Sequence, residues 1–323
     1  MEHIVVNNVN PGTSKPIKFP NGSEAKLVVV NDSKTWQNPD DPSLGRLEDW
    51  WPMAESTSVA MKLMYRIMRE GQVLPCLTAI ALAILAEVYT TTSEEGSQER
   101  RIRLKYRSSP IADFGIVKGS AKVTPEDRMA YARMSDKSIV YGQDPDDHYW
   151  LYFTTIRGEE VILDFAMFTF NMCLMVPTKP YISPELNAQA PYAPVFFCDR
   201  PIRTSAPHLY VERKRVSVLR NPALHEAIVH TREALYDSDT PIIHKFMEDL
   251  AGRPMTKTET DLTYTSLIDN CRALSCNLVQ ERRWAQYPAA APQAIHGDPG
   301  ELQVDNLPLP GLTRLKRPAK TRK

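Results

Sequence analysis

Three residue types that together support thiol chemistry occur in this 323-residue chain in the order Cys76, His148, Asp164. Covalent cysteine catalysis requires a thiolate nucleophile, a histidine that takes up and returns its proton, and a third group that orients the imidazole. A carboxylate suits the third task because it accepts a hydrogen bond from the imidazole N–H. The chain therefore offers one candidate for each role.

Cys76 stands directly before an apolar run that extends from Leu77 to Ala86. Gly71 is suited to end a preceding helix and Pro75 to occupy the first position of a new one, so the sequence predicts a buried helix with Cys76 in its first turn. The helix dipole and the unpaired N–H groups there would favour the thiolate. A core cysteine is the alternative, because cysteine is among the most frequently buried residue types.

His148 and Asp164 belong to two β-rich runs, 148–156 and 160–165, that flank a turn at Gly158. This pattern is typical of a β-hairpin. His148 opens the first run and Asp164 lies near the end of the second, so antiparallel pairing predicts that both lie at the same end of the sheet. An aspartate with apolar neighbours needs a partner, and His148 would serve. The alternative for His148 is a surface position beside the two preceding aspartates.

The order of these residues, on helix, strand and strand, resembles the transglutaminase-like branch of the papain-like fold, which includes arylamine N-acetyltransferases and peptidase-like proteins. The resemblance is carried, within residues 70–166, by Pro75-Cys76, His148-Tyr149-Trp150 and Leu163-Asp164. It implies that Cys76 is the nucleophile, that His148 transfers the proton and that Asp164 orients His148. It also implies a core in which the cysteine helix packs on an antiparallel sheet.

The approach to Cys76 departs from the pattern of this family. Many members carry Gly, Asp or Gln close before the cysteine, whereas here the nearest polar residue is Gln72, four positions earlier. The side chain of Gln72 and the backbone N–H of Cys76 are the candidate oxyanion donors. Stretches around Trp150, Asp164 and Arg215 also resemble fungal, basidiomycete proteins, a resemblance that supplies no function.

The distribution of strand and helix patterns predicts an α+β fold with a mainly helical C-terminal portion. It divides the chain into an irregular lead-in, an α+β core, a helical extension and a disordered basic tail, at residues 1–24, 25–219, 220–285 and 286–323. The tail is expected to be disordered because it has basic side chains and little to bury.

Proline after a capping residue marks several predicted helix starts. Asn221-Pro222 and Thr240-Pro241 predict two helices of the C-terminal portion, and a longer helix is expected from Glu259 to Trp284. Thr124-Pro125, followed by two acidic residues, predicts a further short helix that ends near Met134.

Composition restricts the partners and the location. Lysine plus arginine and aspartate plus glutamate each number 39, so no global field favours nucleic acid or an anionic membrane surface. Five unevenly spaced cysteines, and an N-terminus without the features of a signal peptide, favour a reducing, cytoplasmic location. The apolar run 77–86 is too short for a membrane span, which needs roughly 20 residues. The basic tail from Arg314 to Lys323 would also fit a nuclear or nucleic-acid address.

The sequence predicts neither a metal nor a cofactor. His225 and His230 are five positions apart, which separates them by about 140° around a helix. Cys271 and Cys276 lack a second pair with the spacing of a zinc site. Neither Gly-x-Gly-x-x-Gly nor a Walker-type loop occurs.

The leading hypothesis is therefore thiol-dependent acyl transfer or amide hydrolysis by Cys76, His148 and Asp164, with a peptide, a protein or a small amide as substrate. Water as the acyl acceptor would make the protein a peptidase or amidase, and an amine would make it a transferase. The alternative is a non-catalytic α+β protein-interaction protein in which Cys76 is a buried core residue. The sequence leaves both open.

Overall fold

The computed structural model describes residues 12–13, 15–32, 47–54, 57–89, 104–170, 174–182, 192–198, 200, 204, 206–228 and 236–288. Apart from residues 286–288, the predicted disordered tail lies outside the described residues, and so does about half of the predicted lead-in. The described chain combines helices with one mixed and one antiparallel sheet, which confirms the predicted α+β class.

The strands are β1 (Ile17–Lys18), β2 (Glu24–Val30), β3 (Lys105–Tyr106), β4 (Ser109–Ala121), β5 (Met129–Arg133), β6 (Ile139–Tyr141), β7 (His148–Thr155), β8 (Glu160–Asp164), β9 (Leu174–Pro177), β10 (Tyr192–Cys198) and β11 (Tyr210–Ser217). The α-helices are α1 (Leu47–Trp50), α2 (Thr57–Ile67), α3 (Val73–Ile84), α4 (Pro222–Ala227), α5 (Thr240–Ala251) and α6 (Lys257–Leu274).

The larger sheet of the described chain has seven strands in the order β11-β4-β7-β8-β10-β9, with β3 added beside β4. All of its pairs are antiparallel. Strands β7 and β8 form the hairpin that the sequence predicts. Strand β7 is buried along almost its whole length. Its aromatic and apolar composition fits a central strand that is covered on both faces.

The two faces of this sheet carry different clusters, because successive side chains of a strand point to opposite faces. On one face, Tyr149, Leu151 and Phe153 belong to the large core that contains α3 and the C-terminal helices. On the other face, Trp150 and Tyr152 belong to a smaller cluster. His148 shares the alternation of Trp150, so its side chain lies on the second face.

The smaller sheet has the order β1-β2-β5-β6, and β2 pairs with β5 in parallel. Its core consists of side chains from the sheet and from α2, together with Trp51, which follows α1. The C-terminal end of α2 leads through a short turn at Gly71, where φ is +79°, into α3. The smaller sheet is thus linked directly to the helix that carries Cys76.

The C-terminal helices pack around α3, with α6 making its most extensive helix contact. Helix α4 begins at Pro222 as predicted, with the Asn221 side chain accepting the Leu224 N–H at 3.2 Å. Helix α6 begins with a capping box of Thr256 and Glu259. Its α-helical part ends at Leu274, ten residues before the predicted Trp284. None of the helices in the described part combines the length and apolar character needed to cross a membrane.

The prediction of a helix from Thr124 to Met134 is wrong. Residues Pro125–Asp127 form a single 3-10 turn, and β5 follows at once. Thr124 Oγ1 donates to Asp127 Oδ2 at 2.7 Å instead of accepting a backbone N–H. Residues 129–133 pair with both β2 and β6 and bury Met129 and Tyr131, so tertiary pairing outweighs the local capping signal.

Candidate functional site

The hairpin brings His148 and Asp164 together. Leu151 pairs with Leu163, so the first residue of β7 and the last residue of β8 lie at the same end of the sheet. His148 Nε2 lies 2.6 Å from Asp164 Oδ2, and both side chains are fully buried. The alternative placement of His148 on the surface is therefore wrong.

Asp164 is held by four described donors, two at each carboxylate oxygen. Oδ1 accepts the backbone N–H groups of Ala166 at 2.7 Å and Met167 at 3.1 Å. Oδ2 accepts from His148 Nε2 and from the Tyr210 hydroxyl at 2.9 Å. Because an ionised carboxylate can only accept, this network assigns the hydrogen of the neutral imidazole to Nε2 and leaves a lone pair on Nδ1.

The imidazole of His148 is enclosed by aromatic rings. The ring centroids of Phe170 and Trp150 lie 5.6 and 6.0 Å away, and the Tyr210 ring is stacked at 6.3 Å with an interplanar angle of 16°. Nδ1 is buried, and no described residue forms a hydrogen bond with it. A buried nitrogen acceptor without a partner is uncommon, so this atom is the part of the pair still available for chemistry.

Tyr210 belongs to the site and was not among the residues predicted from sequence. Burial, followed by the proximity of Asp164, raises the pKa of Tyr210 well above its ordinary value, so its hydroxyl stays a donor. Tyr210 lies 46 positions after Asp164 and reaches it because β11 pairs with β4 in the larger sheet. Local patterning in the strand, whose other residues are largely exposed, carries no signal for this contact.

The helix that carries Cys76 begins at Val73, two residues earlier than Pro75, so the predicted first position for Pro75 is wrong. Proline fits here because the first N–H groups of a helix have no intrahelical acceptor. Cys76 is the fourth residue of the helix, and its N–H donates to the Gln72 carbonyl at 3.2 Å. The backbone N–H of Cys76 is therefore used by the helix, which removes it as an oxyanion donor.

The Cys76 thiol is partly buried in this first turn. Burial raises the pKa of Cys76, and the nearby Arg69 guanidinium opposes this in part. The direction is opposite to the one predicted from the helix dipole, because desolvation of a thiolate outweighs it here. Cys76 is thus a neutral thiol at rest and needs a base to become a nucleophile.

Gln72 lies immediately before α3 and does not cap it with its side chain. Its Oε1 atom is buried, and no described residue donates a hydrogen bond to it. An oxyanion is stabilised by donors, so the amide nitrogen of this side chain is the group that fits the predicted role.

The first turn of α3 is tied to the segment that leads into β7. The Gly71 N–H donates to Gln143 Oε1 at 2.9 Å, and Gln143 Nε2 donates to the Asp147 carbonyl at 3.0 Å. A cavity of about 210 Å³ lies at this junction, and its lining includes Gly71, Val73, Leu74, Gln143, Asp147 and Tyr149. The start of α3 and the start of β7 are therefore neighbours.

The thiol and the imidazole are not joined in this resting arrangement. Cys76 lies on the helix that covers the Tyr149 face of the sheet, whereas the His148 ring lies on the Trp150 face. Both residues are described, and no hydrogen bond connects Cys76 with His148 Nδ1. His148 and Asp164 are therefore in direct contact, whereas Cys76 lies at the same end of the sheet, near the start of β7, without a hydrogen bond to His148.

A larger cavity, of about 850 Å³, lies at the other end of the hairpin, where Arg157 and Gly158 form the turn. It is remote from the start of β7 and therefore from His148. The described residues contain no group of three or more His, Cys, Asp or Glu side chains that could hold a metal ion. Within the described residues His225 contacts the Leu219 carbonyl, and His230 lies outside them.

Comparison with models of protein families, with curated proteins and with solved structures found no match to this chain.

Proposed function

We propose that this protein carries out thiol-dependent acyl transfer or amide hydrolysis, with Cys76 as nucleophile, His148 as proton carrier and Asp164 as the orienting group. The observation that supports this most is the buried bond of 2.6 Å between His148 Nε2 and Asp164 Oδ2, with Nδ1 left unpaired among the described residues. A transglutaminase-like or papain-like core, with the cysteine helix on an antiparallel sheet, belongs to the same proposal.

The polarity of the pair matches what general base catalysis needs. Asp164 occupies Nε2, so the lone pair that can take a proton is on Nδ1. The carboxylate also stabilises the imidazolium that forms when Nδ1 is protonated. A base oriented in this way typically contributes 10²- to 10⁴-fold to a rate.

The proposed reaction requires the Cys76 thiol to come within hydrogen-bond distance of His148 Nδ1, which it does not contact in the described structure. The thiol proton then moves to Nδ1 as sulfur attacks the substrate carbonyl. A carbon–sulfur bond forms, the bond to the leaving amine breaks, and that amine takes the proton from Nδ1. Water or a second amine then attacks the thioester and gives its proton to Nδ1. The carbon–sulfur bond breaks, the acyl product leaves, and the Cys76 thiolate takes the proton from Nδ1 to restore the thiol. A peptide, a protein or a small amide supplies the carbonyl.

The second candidate is a non-catalytic interaction protein, and a specific observation favours it. His148 and Asp164 are fully buried, and the pKa of Cys76 is raised by burial. In that case the pair is a brace of the core that joins β7 to β8, and the thiol is a packing residue.

The discriminating experiment is thiol labelling with iodoacetamide across pH, with the modified residues located by peptide mass mapping. If Cys76 is activated, it reacts faster near neutral pH than Cys276, although Cys276 is exposed and Cys76 is partly buried. We expect His148→Ala to slow Cys76 labelling by about tenfold or more, because the base is lost. The matched control, His244→Ala, removes a half-exposed histidine on α5 and should leave the rate unchanged.

Two outcomes would contradict the proposal. In the first outcome, iodoacetamide labels Cys76 more slowly than Cys276 at every pH. In the second, His148→Ala leaves the rate of Cys76 labelling unchanged. Either result, with the variants folded by circular dichroism, favours the non-catalytic candidate.

A further inference from the structure

Tyr210 contacts both members of the buried pair from a distant strand. Its hydroxyl donates to Asp164 Oδ2 at 2.9 Å, the oxygen that His148 Nε2 also contacts, and its ring is stacked on the imidazole. We propose that Tyr210 is a positioning residue of the site, which holds Asp164 and the His148 ring so that Nδ1 stays directed away from the carboxylate. This inference deepens the proposed thiol chemistry and rests on it for its catalytic meaning.

The position of Tyr210 is itself rigidly determined. Strand β11 pairs with β4 over most of its length, with Tyr210 opposite Ala121, and β4 pairs with β7, with Gly119 opposite His148. The centroid of the Trp150 ring lies 4.7 Å from that of the Tyr210 ring. A side chain fixed by two strand pairings and by a ring contact can hold its neighbours in one orientation.

Tyr210 affects the His148–Asp164 hydrogen bond because both the tyrosine hydroxyl and the imidazole contact the same oxygen, Asp164 Oδ2. Two donors on Oδ2 divide the electron density of that atom, so each bond is weaker than it would be alone. When the hydroxyl is removed, Oδ2 accepts from His148 alone, and that hydrogen bond becomes stronger. The ring stacking partner remains when phenylalanine replaces tyrosine, so the change isolates the hydroxyl.

The side chains that surround the imidazole come from several elements. Asp164 of β8 and Tyr210 of β11 contact it directly, Phe170 faces it from the 3-10 helix Met167–Phe170, and Cys198 of β10 acts on Tyr210. Arg66 of α2 reaches the same 3-10 helix through the Thr169 carbonyl. Apart from the Tyr210 hydroxyl, these groups are unchanged in Tyr210→Phe.

The test is proton NMR of the His148 Nε2–H, which is assigned by its loss in His148→Ala. A buried N–H on a short bond to carboxylate resonates far downfield, and we expect Tyr210→Phe to move it further downfield. The matched control is Tyr152→Phe, because Tyr152 is a buried tyrosine on the same sheet face whose hydroxyl donates to Asp113 at 3.1 Å. It should leave the resonance in place.

A second probe keeps the test decisive if Tyr210→Phe does not fold. 3-Fluorotyrosine incorporated at position 210 alone keeps the ring close to its natural size and makes the hydroxyl a stronger donor. The resonance should then move upfield, opposite to the effect of removing the hydroxyl. A resonance that is unchanged in both samples would show that the Tyr210 hydroxyl does not tune this bond, and the inference would be wrong.

Iodoacetamide labelling separates this inference from the proposed function. We expect Tyr210→Phe to slow Cys76 labelling by several-fold, because losing the contact that fixes Asp164 and the ring outweighs the higher basicity that a stronger hydrogen bond gives Nδ1. Tyr152→Phe should leave the labelling rate unchanged. If His148→Ala slows the labelling but Tyr210→Phe does not, the thiol chemistry stands and the positioning role is overturned. If neither variant changes it, the proposed function fails together with the catalytic meaning of Tyr210.

Discussion

Two buried clusters in this protein each combine a carboxylate, a basic side chain and a tyrosine, and they differ in which group is left unsatisfied. In the first, Glu70 Oε1 accepts from the Tyr131 hydroxyl at 2.9 Å and forms an ion pair with Arg66 at 3.4 Å. Its second oxygen, Oε2, is buried and receives no hydrogen bond from a described side chain, while the Gln143 backbone lies close to the carboxylate. In the second cluster the carboxylate, Asp164, is saturated and the unpaired atom is Nδ1 of the base.

The difference indicates what each cluster can do. Burial makes ionisation of a carboxylate costly, and it raises the pKa of Glu70, with Arg66 as the main opposing group. The first cluster is therefore a brace of the fold. In the second cluster the carboxylate is saturated, and the imidazole beside it has a free lone pair. That imidazole can accept a proton, so it can act as a general base.

The brace also supports the second cluster. The fully buried Arg66 donates to the Thr169 carbonyl and, at 3.0 Å, to the Asp127 carbonyl. Thr169 lies in the same 3-10 helix whose first N–H, that of Met167, donates to Asp164 Oδ1. The smaller sheet and the catalytic candidates of the larger sheet are thus mechanically connected.

The largest loss of stability is expected when Asp164 is replaced. Asp164→Ala removes the acceptor of His148, Tyr210 and two backbone N–H groups, so we expect the free energy of unfolding to fall by about 3–5 kcal/mol, measured by urea denaturation. Asp113→Ala is the matched control, because its half-buried carboxylate also accepts a tyrosine hydroxyl. A loss at Asp164 no larger than the loss at Asp113 would mean that the second cluster is not the tighter one.

An intermediate effect is expected at Tyr131. Tyr131→Phe leaves Glu70 with Arg66 as its remaining described side-chain partner, and we expect a loss of about 1–2 kcal/mol in unfolding free energy. Tyr149→Phe removes a similar hydroxyl bond, of 2.8 Å, to the more exposed Asp147, and should cost less. Equal losses in the two variants would contradict the assignment of the Glu70 cluster as a buried brace.

The smallest expected effect is a pH dependence of the stability that Glu70 contributes. A carboxyl whose pKa is raised on folding contributes fully at low pH, and this contribution is lost as the pH rises from the unfolded value, about 4.3, through the folded one. Since glutamine does not titrate, Glu70→Gln should become progressively more stable relative to wild type as the pH rises. Urea denaturation from pH 4 to pH 8 measures this difference.

Glu259 provides the control with the opposite sign. Burial acts to raise its pKa, but hydrogen bonds from Arg253 and the Thr256 N–H lower it to about 2. Its contribution is present above the unfolded value and is lost as the pH falls toward 2, so the deficit of Glu259→Gln should shrink on acidification. Parallel trends in the two variants would contradict the assignment at Glu70.

Local patterns predicted the elements that are encoded by neighbouring residues. The β7–β8 hairpin, the helix start at Pro222 and the apolar helix around Cys76 are present in the structure. The helix from Thr124 failed, because pairing of β5 with β2, about 100 positions earlier, outweighed a capping signal. The pairing of His148 with Asp164 was predicted for the same reason that the hairpin was, since its register follows from a short turn.

The sequence by itself determined the α+β class, the hairpin and the residue types at the candidate site. Only the tertiary structure decided that Tyr210 completes the Asp164 network, that Glu70 and Arg66 brace it, and that Cys76 loses rather than gains acidity. Each of these depends on burial or on contacts between distant strands, and desolvation and long-range pairing leave no periodic trace in the chain. The helix that carries Cys76 could be predicted from its own residues, whereas the environment of its thiol could not.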